Sequence, residues 1–366
     1  MEDRIVEGAI VDEEGARPGY VRFRGSRIVE TGGVGTASAH GRARVTPGIV
    51  FPAPVNGHTH LGDAASTREP PVGPLRDVVA APHGMKFRIL HETPEPVKRR
   101  AMRQALDRLG REGVASTIDF REEGAAGIRS LRRAAERSPV RPFILGRPLV
   151  RPLDPRELDE VVRLADGVGV SSAREESPAV RSAIARAVRR QGKRFALHAS
   201  EEVREDPSTY LRPRPDLLVH LTAATPDDLE AVREAGVTVA VCPRSNALFG
   251  RRPDLLALQR LGVPTLLGTD NAMFHAASLF RELEFAYVSA RLAGAPVRPE
   301  FLVRAACVTP WAWLGHPERG RIREGSGRYA LAARLPADDP AYQLATRATA
   351  HLIFHPARGV RAVRGA

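Results

Sequence analysis

Val55-Asn56-Gly57-His58-Thr59-His60, preceded by the apolar run Gly48-Ile49-Val50-Phe51-Pro52, reads as a β-strand that ends by presenting two histidines. Side chains at i and i+2 of a strand point to the same face, so His58 and His60 can grip one metal ion together. A pair of ligands is not yet a site. The chain must also supply further ligands and a group that moves protons.

From Pro47 onward, short apolar runs alternate with amphipathic segments, the pattern of a parallel sheet with crossover helices. The first strand is read as Ile49 to His60. Residues 61–92 follow as a Pro- and Gly-containing connection, too long for a simple βα loop and expected to cover an active site. Helices over about 95–111, 125–137, 155–164 and 178–190 alternate with strands over 114–120, 143–147, 168–172 and 194–198. Strands at 217–220, 237–242 and 264–270 bring the number to eight. Eight such units predict a distorted (β/α)8 TIM barrel over residues 49–319. Residues 3–48 alternate short β-like runs with Gly-rich turns, and the tail after Gly320 returns to short apolar strands such as that at 350–354. The two ends, 1–48 and 320–366, are therefore expected to form one small β-sandwich domain.

Composition narrows the function classes. The 366 residues are 43% hydrophobic, ordinary for a globular protein, and no apolar run is long enough to span a bilayer. Met1-Glu2-Asp3-Arg4 carries acidic residues and no apolar signal core, and Cys242 and Cys307 fit no metal or disulfide pattern, so a cytoplasmic protein is expected. The net charge of +12 invites a nucleic-acid reading, which the distribution opposes: the basic residues are scattered along helices near glutamates, and aromatics are only 5%. Only three of the 55 basic residues are lysines (Lys86, Lys98 and Lys193), which points to a general arginine bias. A small-molecule substrate is the expected partner, and a homo-oligomer stays open.

Barrel enzymes carry their chemistry at the C-terminal ends of strands. His58 and His60 end the first strand, His198 the fifth, His220 the sixth and Asp270 the eighth, so all converge on one mouth. Three imidazoles and a carboxylate suit one divalent ion, zinc or ferrous iron, with water in the open position and its pKa lowered towards neutrality. Glu201, three residues beyond His198, can move a proton between that water and a substrate nitrogen. Asp270 could both touch the metal and accept the water proton, while His220 would orient the water or stabilise the developing tetrahedral centre. Taken singly, each has a plainer reading: a structural histidine, a helix-capping Asp270, a solvated Glu201. Taken together in barrel order, they are a site. The loop after the first strand offers Asp63, His83, Lys86 and Arg88, each read first as solvated or ion-paired, whereas Arg121, Glu122 and Asn271 sit nearest strand ends and are the expected substrate contacts.

The segments Asn56-Gly57-His58-Thr59-His60, His198-Ala199-Ser200-Glu201, His220, Cys242-Pro243-Arg244-Ser245-Asn246 and Gly268-Thr269-Asp270-Asn271 resemble the amidohydrolase superfamily. More narrowly they resemble its mononuclear deaminase- and chlorohydrolase-like branch, which includes guanine, cytosine and adenosylhomocysteine deaminases. The resemblance implies that His58, His60, His198 and Asp270 bind the metal, that Glu201 shuttles protons and that His220 contacts the water. It also places Arg244 and Asn246 near the substrate. Binuclear relatives carry a carboxylated lysine at the end of the third or fourth strand. Those ends here read Gly146-Arg147-Pro148 and Ser171-Ser172-Ala173, so one metal is expected. Arg328-Tyr329-Ala330-Leu331 departs from the family's usual Ala-Asp before the last β segment. No Cys-x-x-Cys and no His-Glu-x-x-His occurs, which sets aside the unrelated zinc deaminases and the zinc proteases.

The leading functional expectation is hydrolytic deamination of an amino-substituted nitrogen heterocycle of purine, pyrimidine or pterin type. Hydrolysis of a cyclic amide or imidazolone ring uses the same activated water and remains the alternative. A basic, non-catalytic binding protein on the same barrel is the reading from another class.

Overall fold

The computed structural model describes residues 3–36, 44–66, 69, 73–80, 83–149, 153–172, 174, 176–327, 329–348 and 352–354. Residues 1, 2, 173, 328, 350 and 351, and parts of the segments 3–48, 61–92 and 320–366, which entered the sequence reading, lie outside that set.

The first strand proves to be two. Strand β4 (Arg44–Pro52) and strand β5 (Val55–His60) belong to different sheets, and Ala53-Pro54 separates them. Pro52 and Pro54 lack the N–H that a continuous ladder would need, so the hydrogen-bonding pattern is interrupted there. The chain therefore enters its second sheet with six residues, of which two are the histidines.

The chain divides into two units, residues 1–55, 111–115 and 279–366 in one and 56–110 and 116–278 in the other. In the first, β1 (Asp3–Asp12), β2 (Gly15–Arg24), β3 (Arg27–Gly32), β14 (Ala330–Ala333) and β15 (Leu352–Phe354) join β4 in one six-stranded sheet, in the order β15-β14-β4-β1-β2-β3. Both ends of the chain thus contribute. Val6 and Ile10 of β1, Val21 and Phe23 of β2 and Val50 of β4 share one core cluster with Ile322 and Ala332, the period-two pattern of a strand with one buried face. Helices Leu279–Leu292, Pro299–Cys307, Thr309–Trp313 and Pro340–Arg347 fall in the same unit.

The second unit is built on parallel strands: β5, β6 (Ser116–Arg121), β7 (Arg141–Gly146), β8 (Gly167–Val170), β9 (Arg194–Ala199), β10 (Leu217–His220), β11 (Thr238–Val241), β12 (Thr265–Leu267) and β13 (Asp270–Asn271). The order β12-β11-β10-β9-β8-β7-β6-β5-β13 closes on itself, because β12 and β13 are one strand broken at Gly268-Thr269. Its first part pairs with β11 and its last two residues pair with β5. This is the expected eight-stranded (β/α)8 barrel. Helices between strands start where the sequence supplies a cap followed by proline: Asp154-Pro155, Ser177-Pro178 and Thr225-Pro226, whose side-chain oxygens accept backbone N–H groups of the first turn. No helix among the described residues is long and apolar enough to cross a membrane.

The closing seam has its own chemistry. A Cβ on Gly57 would lie 2.6 Å from Leu266 Cβ, and one on Gly268 would lie 2.5 Å from the backbone nitrogen of His58. Where the ladder is broken, Asn56 substitutes for it: its amide donates to Thr269 Oγ1 at 2.9 Å and its carbonyl accepts from Thr269 N at 3.0 Å. Replacing Asn56 by Ala leaves a buried N–H and hydroxyl unpaired and should lower stability by about 1–3 kcal/mol. Gly268→Ala, which must push the strand backbones apart, should lower the thermal midpoint further. Calorimetry or dye-based melting of the two variants checks that order; a Gly268→Ala protein melting with the wild type would contradict the seam.

Candidate metal centre and active site

Register sets the first distances. Asp270 of β13 lies opposite Thr59 of β5, between the two histidines in sequence. Its Oδ1 is 3.2 Å from His58 Nε2 and 3.6 Å from His60 Nε2. His198, near the end of β9, brings its Nε2 to 3.3 Å from His58 Nε2. A tetrahedral ion with ligand bonds of about 2.1 Å holds its ligand atoms about 3.4 Å apart, so these separations fit one ion of zinc's size. His58, His60 and His198 form one candidate ligand group, and His58, His220 and Asp270 form another that overlaps it.

Burial decides the protonation of the ring nitrogens. His60 is pushed down to about 4 and His198 well below its usual range, in each case by burial first and neighbouring charge second. Neutral imidazole is the ligand form. Asp270 is held well below the carboxylate range: burial opposes this, but the hydrogen bond from His58 and the nearby His220, His58 and His60 outweigh it.

Outer contacts then choose which nitrogen faces inward. His198 Nδ1 lies 3.0 Å from the Val170 carbonyl, so it donates there and Nε2 keeps its lone pair. His60 Nδ1 lies 2.8 Å from Glu122 Oε1 and donates to it. Glu122 is itself paired with Lys86 and, through Oε2, with Arg121 Nη2 at 2.8 Å. His58 is held by packing instead, its ring 4.6 Å from that of Phe120 in an edge-to-face contact. Ser245 Oγ donates to Asp270 Oδ2.

The ligand cluster opens into a cavity of ≈ 600 Å³ lined by His60, His198, Glu201, His220, Asp270 and Asn271, with Phe274 and Arg251 further along its wall. Glu201 Oε1 is 3.3 Å from His220 Nε2. Burial, and then the charge of Asp270, push the Glu201 carboxyl well above the usual range. The Asn246 side-chain amide nitrogen faces His220 Nδ1 at 3.1 Å, which leaves the proton on Nε2, the atom turned towards the site. His220 (φ 76), Leu221 (φ 52), Ser200 (φ 45) and Asp270 (φ 57) all adopt left-handed backbone. Such conformations persist where surrounding structure over-determines them, and they gather at functional sites.

The expected substrate contacts disperse. Asn271 lines the cavity. Glu122 stands behind His60 and Asn246 behind His220. Arg121 is wholly enclosed against Glu122, Asp119 and the Met102 sulfur, and Arg244 is outside the cavity lining. Lys86, read in the sequence as a solvated or ion-paired residue of the loop after the first strand, is 4% exposed, lies in the cavity wall and pairs with Asp63 and Glu122. Its signal was its rarity among the arginines.

A sequence profile described as the amidohydrolase family matches residues 45–208. A protein of Methanothermobacter thermautotrophicus named "Putative aminohydrolase" is 33% identical over 328 residues, covering 84% of this chain and 84% of that protein. Among solved structures, guanine deaminase of E. coli superposes with a TM-score of 0.75 at 14% identity, covering 99% of this chain and 100% of that one. Atrazine chlorohydrolase of Arthrobacter aurescens, complexed with zinc, superposes with a TM-score of 0.72 at 17% identity, covering 98% and 96%. The three-histidine group, with Asp270 beside it, offers a divalent metal ion a seat of buried donors.

Added zinc should therefore raise the melting temperature of the metal-stripped protein, since ligand at 100 times its Kd adds about 2.7 kcal/mol. His58→Ala and His198→Ala should abolish that rise and lower metal content by elemental analysis. An undiminished rise in both variants would place the ion elsewhere.

Proposed function

The chain belongs to the amidohydrolase family and is a hydrolase of carbon–nitrogen bonds, and from that premise we propose that it deaminates an amino-substituted nitrogen heterocycle. One geometric observation carries the reading. Glu201 stands at the cavity wall beside the ligand cluster, not within it, with Oε1 3.3 Å from His220 Nε2.

His58, His60, His198 and Asp270 would hold the ion, which when bound supplies a water acidified towards neutral pH. The remaining steps belong to the chain's own residues. Asp270, held ionised, accepts a proton from the attacking water at Oδ. Glu201, whose carboxyl is pushed up by burial and by Asp270, donates at Oε to the ring nitrogen. It then takes the remaining proton from the hydroxyl on the tetrahedral carbon and passes it to the departing amine, and the proton held by Asp270 returns to Glu201 as product leaves. The water oxygen bonds to the ring carbon, the exocyclic C–N bond breaks, and ammonia leaves. His220 Nε2–H donates to the developing oxyanion. Asn271 and Phe274 offer an amide edge and an aromatic face suited to a planar polar ring. Two proteins with the same fold are named for such rings, guanine and atrazine.

Glu201→Gln should reduce ammonia release about 10²–10⁴-fold with metal content unchanged. Product mass separates the alternative, since opening a cyclic amide or imidazolone adds water without losing ammonia. A broad panel of amino-heterocycles that yields no ammonia would overturn the reading.

A further inference from the structure

Beside the ligand cluster lies a second group that could hold a cation: His60, Asp63 and Glu122, whose candidate ligand atoms lie within 4.8 Å of one another. That position is filled from within. Lys86 Nζ sits 3.0 Å from Asp63 Oδ2, is paired with Glu122 Oε1, and lies 3.0 Å from His60 Nδ1. All of these residues are less than one-tenth exposed. The Asp63 side chain is 1% exposed, and its Oδ1 has no hydrogen-bond partner. The seat thus retains an unused ligand atom.

We propose that the Lys86 ammonium occupies a cation seat between Asp63 and Glu122, beside His60, that a divalent ion would otherwise take; this seat is separate from the one that a strand-end lysine builds in binuclear relatives. The inference rests on the ligand set above but not on the identity of the reaction. Three arguments support it. Buried charge must be matched, and among the described residues the side-chain cations paired with Asp63, Glu122 and Asp119 are Lys86 and the Arg121 guanidinium. The geometry suits a compact point charge, since one nitrogen meets both Asp63 and Glu122 while staying beside His60, whereas a guanidinium spreads its donors over a plane. Finally, a lysine is out of character in this chain, where only three of 55 basic residues are lysine, so solvation does not account for it.

Lys86→Met keeps the unbranched side chain as far as its ε carbon and removes the ammonium. Wild type and variant are stripped, equilibrated with excess Mn²⁺ or Zn²⁺, desalted and assayed for metal per chain. The expected result is an increment of one ion in Lys86→Met over wild type, with no increment in Lys86→Met/Asp63→Asn. Equal stoichiometry in wild type and Lys86→Met would overturn the proposal, and so would a second ion in the wild type itself. If Lys86→Met folds only when metal is supplied, the ion has replaced the ammonium and the proposal stands. If it folds at no metal concentration, the proposal fails. A wild type that binds no ion, with an increment of one in the variant, would instead remove the first centre and spare the second. Ammonia release enters none of these readouts, so the deaminase reading can fail separately.

Discussion

The barrel can close only where β13 pairs with β5, and the proposed centre depends on that pairing. The eighth strand serves two neighbours in turn, β11 through residues 265–267 and β5 through 270–271, with a break between. At the break two glycines let the backbones approach, and Asn56 supplies to Thr269 the two hydrogen bonds that the ladder omits. The outcome is a register in which Asp270 faces Thr59 and its carboxylate reaches the imidazoles on either side. A slip of one residue would turn that carboxylate to the other face.

This explains which parts of the site were legible. The histidines and Asp270 could be read because strand ends and period-two spacing fix direction. The letters between them, Asn56, Gly57, Gly268 and Thr269, carry the seam, and a sequence scanned for ligands passes over them. The break at Pro52-Ala53-Pro54 was visible in the prolines, yet the apolar run before it masked the change of sheet. Arg121 is instructive. Phe120 packs against His58, so the next residue along β6 must point away from the mouth, and Arg121 is indeed enclosed. Proximity to a strand end says little about side-chain direction unless the alternation is counted to the last residue. Glu122 and Asn246 carry the same lesson, since each meets a histidine from behind.

Residue choice against a compositional bias held information of another kind. Besides Lys86, the remaining lysines also occupy defined seats. Lys98 Nζ donates to the Leu90 carbonyl at 2.8 Å and pairs with Glu123. Lys193 Nζ donates to the carbonyls of Ala165 at 2.7 Å and Arg163 at 3.1 Å, at the end of helix Pro155–Leu164. Converging acceptors are matched by a tetrahedral ammonium, whereas a guanidinium spreads its donors over a plane. Where arginine is the default cation, lysine marks a position at which geometry selects the residue.

The same reasoning separates two glutamates that look alike in sequence, each just past the end of a strand. Glu122 meets Lys86, His60 and Arg121, and these hold its carboxyl well below the usual range although burial alone would raise it. Glu201 is raised well above that range by burial and by Asp270, and the partner it meets closely is a neutral imidazole. A carboxylate fixed by three donors can orient a histidine but has little freedom to exchange a proton. A carboxyl without a fixed counter-cation can gain and lose one as substrate charge changes. In the proposed reaction, orientation and proton transfer thereby fall to different residues, and the division follows from where the cations of the wall were placed.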